Sequence, residues 1–490
     1  MKILLTKIKY AIFRLSFAVV VACVCLTLTT SRPATILESV LDEKVLRVIS
    51  IVSPTIYYHD SKGESGFEYA LAKEFAAQLG VTLEVNLMSD LGAMLNATGG
   101  PKGHFTTAGL NPTSERQQLV RFSHPYGSTH SILLYKRGKS RPHNLEDTQN
   151  GRLVVVPNSS HIEKLSQLKQ SQYPNLQWEA VDNSAMLELM QMVHDGEADY
   201  AIVDASAYAI NKGLYPNAKT AFRLSEAQPL VWAFPTHGDD SLINAANNFI
   251  QSYSESGQLK TLHEQFFGHT HKFNIAGSQL FRHRIQSRLP NFEALFKASA
   301  EQFQLDWRLL AAMSYQESHW NAKARSRTGV RGLMMLTRPT AKEVGVTQRL
   351  DPAQSIRGGA QYFSKGRQRI AKTITEPDRT WFALAAYNVG LGHIRDARTL
   401  TKRHGGNPDR WQDVRQRLPL LMQKKYHQTL RYGYARGGEA VQYVQHIRHF
   451  QSILHLHEIE TKRMQQSLPK MPLQKRSVSQ SQTVGLPLSL

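Results

Sequence analysis

Glu317 is the only acid in the stretch LLAAMSYQESHWNAKARSRTGVRGLMML, residues 309–336, where apolar and aromatic residues surround it and four lysines or arginines follow. Steps of three and four through Phe303, Trp307, Leu310, Met313 or Ser314 and Glu317 put it on the apolar stripe of a helix. A carboxylate there loses water, and desolvation raises its pKa. A carboxylic acid still protonated near neutrality can serve as a general acid. The same spacing also suits a helix-end glutamate paired with Arg325 or Arg327. Downstream, Gly329 and Gly332 let backbone approach a substrate closely, and GLMML supplies a thioether wall. In ALAAYNVGLG, Tyr387 and Asn388 stand at a helix end before Gly390 and Gly392. The tyrosine hydroxyl could reach a carboxyl group across a cleft, or its ring could fill a core. Glycoside hydrolysis ordinarily takes two carboxylates. None lies near Glu317 in sequence, so Glu343, Asp351 or Asp396 would have to be brought in by folding.

Two kinds of architecture must position these residues. Over residues 45–270, short β-branched runs alternate with amphipathic helices: VLRVISIV, TLEVNLM, RLVVVP and YAIVD as strands, FEYALAKEFAAQLG as a helix closed by Gly80. Such alternation predicts a mostly parallel α/β sheet. From about Phe281 the apolar period becomes three and four, and NFEALFKASAEQFQL, DWRLLAAMSYQESHW, PTAKEVGV, SIRGGAQYFSKGRQRI, RTWFALAAYNVG and YVQHIRHFQSILH all read as helices. The expected division is a signal peptide over 1–31, an α/β domain over 32–268, an all-α domain over 269–464 and a disordered basic tail over 465–490, rich in Gln, Ser, Pro and Lys.

Charge follows the same division. The formal net charge is +20, composed of −6 over residues 32–270 and +22 over residues 271–490, with the remaining +4 in the first 31. The basic half suits a polyanion such as anionic lipid or a wall polymer, or is simply a solvated surface. Lys2, Lys7, Lys9 and Arg14 precede an apolar run, Leu15 to Leu28, and small residues near Ser31, the pattern of an export signal. A retained anchor and lipidation at Cys23, within VVAC, are the competing readings. Both cysteines, Cys23 and Cys25, lie in this segment; cleavage near Ser31 would leave no thiol chemistry and no disulfide framework. Export argues against nucleic acid as partner. His269 with His271, and His446 with His449, lack the acids that would complete a metal site, so no metal or other cofactor is expected.

ESHWNAKARSRTGVRGLMMLTRPTA, ALAAYNVGLG and YVQHI together resemble the soluble lytic transglycosylase domain, of lysozyme-like fold. The resemblance implies that Glu317 is the acid/base, and that Ser318, Ser326, Gly332, Met334, Tyr387, Asn388 and Tyr443 are cleft positions. The family's glutamine after Gly-Leu-Met is Met335 here, a pairing seen in the membrane-bound F-type branch; it removes one hydrogen bond to a sugar amide. The implied reaction cleaves the β-1,4 bond between N-acetylmuramic acid and N-acetylglucosamine and closes a 1,6-anhydromuramic end. One carboxylate then acts first as acid and next as base, and no water is consumed.

GFEYALAKEFAAQLG, TSERQQLVRFSHPY and DGEADYAIVDASAYA resemble the family 3 periplasmic solute-binding proteins. That resemblance implies Arg116 for a ligand α-carboxylate, through its bidentate fork, and Asp204 for the α-amino group. The family pattern breaks at Ala70, where an acid is usual, so the ligand, an amino acid or a muropeptide, stays open. The whole order resembles the membrane-bound lytic murein transglycosylase F family. It implies an exported protein, peripheral to the periplasmic face of the outer membrane, whose front domain senses a ligand and biases the enzyme. The competing readings are a hydrolytic muramidase with a second cleft carboxylate, and a non-catalytic wall-binding sensor.

Overall fold

The computed structural model describes residues 14–17 and 33–467, apart from 54, 61, 62, 183, 269–274 and 327. Cys23, His269, His271, most of the expected signal peptide and residues 468–490 of the expected tail lie outside the described residues. No helix among the described residues is long and apolar enough to cross a membrane.

The front half is two α/β lobes. In the first, the strand order is Thr82–Leu87, Val45–Ser50, Phe105–Leu110, Gln228–Pro235, Val120–Phe122, with Gly127–Thr129 also pairing the fourth strand. In the second it is Glu179–Ala180, Leu153–Val155, Tyr200–Asp204, Ser131–Lys136, Ala218–Arg223. Both sheets are mixed rather than mostly parallel. Crossover helices leave the early pairs parallel, such as Val48 against Val85. Gln228–Pro235 returns from the second lobe to the first sheet, however, and enters it antiparallel to Phe105–Leu110 and Val120–Phe122. Strand-by-strand patterning cannot register such a return. The helix Phe67–Leu79 begins after Gly66, where any Cβ would stand 2.2 Å from the Ile56 carbonyl oxygen, and ends as expected at Gly80, φ 70°. It buries Phe75 against a cluster that includes Trp232 and Phe249.

The rear half is helical. Asp306 caps the helix Trp307–Ser318 by accepting from the Arg308 N–H at 2.9 Å. Phe303 is not on that helix: it closes the preceding one, Glu293–Gln302, and Gln304 turns the chain at φ 52°. The apolar stripe leading to Glu317 therefore starts at Trp307. At the far end His319 and Trp320 take φ of 52° and 56°, and the Trp320 indole donates to the Ala311 carbonyl at 2.9 Å, fastening the reversal. The terminal helix Gly437–Ser467 packs along this one and continues through residues 465–467, which sequence reasoning gave to the tail.

The two halves share one core. Val203, Ile210, Leu214 and Tyr215 of the second lobe belong to the same apolar cluster as Phe281, Ile447 and Ile453. Gly213 sits at this junction, where a Cβ would approach Ile453 Cδ1 to 3.1 Å and the His449 ring to 3.2 Å. Nearby, Glu264 pairs with Arg415 at 2.7 Å, and Arg448 donates to the Glu264 carbonyl at 2.7 Å while lying 4.0 Å over the Trp381 ring. The terminal helix thus packs against the glutamate helix and the second lobe at once.

Candidate active site

Glu317 is the penultimate residue of its helix and half-buried. Its Oε1 accepts a hydrogen bond of 2.6 Å from the Tyr443 hydroxyl of the terminal helix. Among the described residues it has no ion pair; Arg325 does not reach it, and Arg327 lies outside them. Burial raises the carboxyl pKa to about 7, against a smaller lowering by the tyrosine bond. The tyrosine holds Oε1, which leaves Oε2 without a hydrogen bond among the described residues.

The residues after Glu317 build a wall from backbone. The hydroxyls of Ser314 and Ser318 lie 3.1 and 2.9 Å from the Leu333 carbonyl oxygen. Ser318 is buried, so it holds the loop rather than facing a substrate. The Tyr387 hydroxyl donates to the Met334 carbonyl at 3.1 Å, and its ring stacks parallel to Tyr443 at 6.5 Å. Tyr387 is thus both wall and spacer behind the tyrosine that holds Glu317. Gly332, at φ 84°, has the Arg349 carbonyl oxygen 1.8 Å from where a Cβ would sit, so no side chain fits. Met334 is fully buried against Gly359, whereas Met335, at φ 45°, is partly exposed. The thioether presented outward is therefore that of Met335. Ser326 bonds Thr328 at 2.9 Å and takes the Val330 N–H, shaping its own turn. Asn388 is exposed at the helix end.

Of the three acids that folding could have supplied, two are committed elsewhere. Asp351 caps the helix Pro352–Gln368, accepting from the Gln354 N–H at 2.8 Å, and buried Asp396 accepts from the Tyr432 N–H at 2.7 Å. Glu343 lines a cavity of about 500 Å³ together with Tyr362, Gln368 and Tyr387. Sequence reasoning missed Tyr362, Ser314, Ser355, whose hydroxyl accepts the Met334 N–H at 3.1 Å, and Gln316, which meets His446 at 3.2 Å. Only the step of four between Ser314 and Ser318 hinted at any of them.

In the front half, Arg116 and Asp204 converge from different lobes. The buried Arg116 guanidinium donates to the carbonyls of Asn111 and Asn158, at 3.1 and 3.2 Å, and lies 3.7 Å from the Glu163 carboxylate. Asp204 lies 3.7 Å from the His161 imidazole. Burial raises Asp204 to about 7 in spite of Arg116, and lowers His161 to about 4. Glu68, fully enclosed beside Tyr126 and Gly109, is pushed up to about 8 by burial. Glu163, His161 and Glu68 were not among the residues singled out from sequence; their signal is positional, one lying two residues before Ala70 and two sitting at the start of the helix Ser160–Ser171. Among the described residues no group of three or more His, Cys, Asp or Glu could hold a metal ion.

Comparison with known proteins matches each half. Residues 294–409 match the transglycosylase SLT domain, and residues 46–269 match the bacterial extracellular solute-binding proteins, family 3. A protein of Saccharophagus degradans, the membrane-bound lytic murein transglycosylase F, is 51% identical over 458 residues, covering 94% of this chain and 90% of that one. The protein of the same name from Hahella chejuensis is 46% identical over 426 residues, covering 86% and 84%. Among solved structures, the ancestral amino acid-binding protein AncCDT-1 aligns with 47% of this chain and 99% of its own, at 24% identity and a TM-score of 0.42.

Proposed function

This chain belongs to the membrane-bound lytic murein transglycosylase F family and is a lyase acting on peptidoglycan; from that premise we propose that Glu317 alone carries the proton transfers of its reaction. The observation that carries this is the carboxyl group itself: raised to about 7 by burial, bonded on one oxygen by Tyr443, and without an ion pair among the described residues. In the first step the proton on Oε2 passes to the glycosidic oxygen, and the bond from that oxygen to the muramic C1 breaks. The sugar's own 2-acetamido group bears the charge that develops at C1. In the second step the Glu317 carboxylate takes the proton of the muramic 6-hydroxyl, and O6 bonds to C1. The proton is returned to where it began, and the product ends in 1,6-anhydromuramic acid. An O6 already on the bound ring supplies an effective concentration that a water lacks. Two of the three alternative acids being tied to backbone amides favours this route over a hydrolytic one.

The test is digestion of purified murein sacculi by the protein and by Glu317→Gln, with the new ends read by mass spectrometry. Anhydromuramic ends from the native protein alone are expected; reducing ends would mean a hydrolase.

The reading extends to the front half. In this reading Arg116 grips a carboxylate and Asp204 an ammonium group, and the ligand class is an amino acid or a muropeptide carrying both; the burial of both groups within each other's field supports it. Opening Arg116 to a ligand means displacing Glu163. The terminal helix, which bears both Tyr443 and the His449–Ile453 contact with Gly213, is the element through which such a ligand would bias Glu317. That bias requires the ligand to bind two states of the helix unequally. The relatives' names describe them as membrane-bound, which supports attachment to a membrane surface. The basic character of the N-terminal segment supports export, with residence at the periplasmic face of the outer membrane. Calorimetric titration of the full chain and of Arg116→Ala with amino acids and muropeptides tests the site: heat from the native protein alone supports it, and equal heats from both would refute it.

A further inference from the structure

The peptide group between Leu333 and Met334 is held on both edges, from two helices. Its carbonyl oxygen accepts from the hydroxyls of Ser314 and Ser318, at 3.1 and 2.9 Å, on the helix that carries Glu317. Its N–H donates to the Ser355 hydroxyl oxygen at 3.1 Å, on the helix Pro352–Gln368. Ser355 is fully buried. Gly359, one turn further along the same face, meets the Met334 side chain, and a Cβ there would stand 2.6 Å from Met334 Cγ. One helix therefore holds Met334 by its N–H and by its thioether chain at once. Gly332 completes the fit, since a Cβ on it would come within 2.8 Å of Ser355 Oγ. The next carbonyl, that of Met334, accepts from the Tyr387 hydroxyl at 3.1 Å, on a third helix, Asp378–Val389.

This clamp bears on which tyrosine reaches the acid. The rings of Tyr387 and Tyr443 lie 12° from parallel, and both phenols are raised by burial and, after it, by the charge of Glu317. Two hydroxyls thus stand in the field of one carboxyl group, and the bond of 2.6 Å comes from Tyr443. A phenol has one proton to donate. While the Met334 carbonyl accepts that of Tyr387, Glu317 does not. A second hydroxyl donating to the carboxylate would favour its charged form and draw the acidic proton off near neutrality.

We propose that Ser355 is a positioning residue of the reaction: by fixing the peptide between Leu333 and Met334 it keeps the Met334 carbonyl engaged with Tyr387, and so keeps the Tyr387 hydroxyl off Glu317. Ser355 lies behind the wall and acts through Met334 and Tyr387. The proposal rests on the acid/base reading of Glu317 above. A serine that merely filled space would have no bearing on how many hydroxyls the carboxyl group receives.

The experiment follows formation of anhydromuramic ends on murein strands as a function of pH. It compares the full-length protein with Ser355→Ala, Tyr387→Phe and the double variant. The native kcat/KM declines as Glu317 loses its proton. In Ser355→Ala the freed Tyr387 hydroxyl turns to Glu317, so the decline should begin about one pH unit lower. Above that limb the rate should be down about tenfold, because a tenth as much of the acid keeps its proton. Tyr387→Phe and the double variant should both keep the native limb, since the hydroxyl that would migrate is gone. An unmoved limb in Ser355→Ala overturns the positioning role. So does a double variant whose limb still moves, because the shift would then bypass Tyr387. A shift in Tyr387→Phe alone overturns it too, because that hydroxyl would already act on Glu317 in the native protein. The position of the limb does not depend on the amount of folded enzyme. Should Ser355→Ala not fold, Ser355→Cys weakens the acceptor at similar volume and should move the limb the same way by less, and an unmoved limb there overturns the role. Survival of activity in Glu317→Gln would instead refute the underlying reading.

Discussion

Among the described residues, Glu317 and Asp204 are both raised to about 7 by burial, yet their surroundings differ. Glu317 has a neutral hydroxyl as its partner and holds one oxygen unbonded among the described residues. Asp204 sits among charges, with the Arg116 guanidinium raising the stability of its anion and a buried imidazole 3.7 Å away. The perturbation alone does not separate a catalyst from a binding site. What separates them is the partner. A proton donor needs a partner that orients it without holding its charge, and a hydroxyl does this. A receptor for a zwitterion needs charges of both signs at a set spacing, the role proposed above for Arg116 with Asp204.

The sharpest way to break this comparison is Glu317→Gln. Removing the acid/base should cost at least about a thousandfold in anhydromuramic end formation, with sacculus binding retained in a co-sedimentation assay. If activity survives, Glu343 becomes the group to examine. Arg116→Ala should weaken the front-site ligand by about a hundredfold in calorimetry. It should also lower stability by about 3 kcal/mol in denaturant melts, because Glu163 and Asp204 are left buried with their cation gone.

Tyr443→Phe should cost about tenfold in kcat/KM. It also moves the pH profile in a definite direction. The tyrosine bond lowers the Glu317 pKa, so its loss raises that pKa further. General-acid catalysis needs the protonated form, so the native rate should decline above pH of about 7, and the decline should begin at higher pH in the variant. A purely structural tyrosine would leave that limb in place.

The remaining prediction concerns the pH dependence of stability. Asp204 has a folded pKa of about 7, above its usual 3.8. Stability from its protonation is fully present below the unfolded value and is lost as pH rises through the folded one. Thermal melts of the ligand-free protein should therefore fall between those two values, and Asp204→Asn should flatten the fall by up to about 1.4 kcal/mol per pH unit. A ligand ammonium that pairs with the carboxylate should reverse the slope.

How much of this was legible beforehand depends on the range of the contacts. The helix around Glu317 was visible because helical period is a local property, and so was the residue's place on the apolar stripe. The same logic misassigned Phe303, since the steps of three and four run on through a break at Gln304 that periodicity does not register. Tyr443 was nominated only through resemblance. No spacing rule reaches across the 126 residues between it and Glu317. Ser318 and Met334 were nominated as cleft residues on the same ground. The fold turns both inward and leaves their backbone neighbours, with Met335, to form the wall.

The sequence by itself determined the two kinds of half and the helix that carries Glu317, because each follows from side-chain type and short-range period; the one-carboxylate route came from the resemblance. Tertiary structure decided the rest. It set which strands run antiparallel, brought Arg116 and Asp204 to one site from two lobes, and committed Asp351 and Asp396 to backbone amides. It also fused the two halves through a shared core along the terminal helix. These are outcomes of packing between segments far apart in the chain, where the free energy belongs to the pair and neither segment alone encodes it.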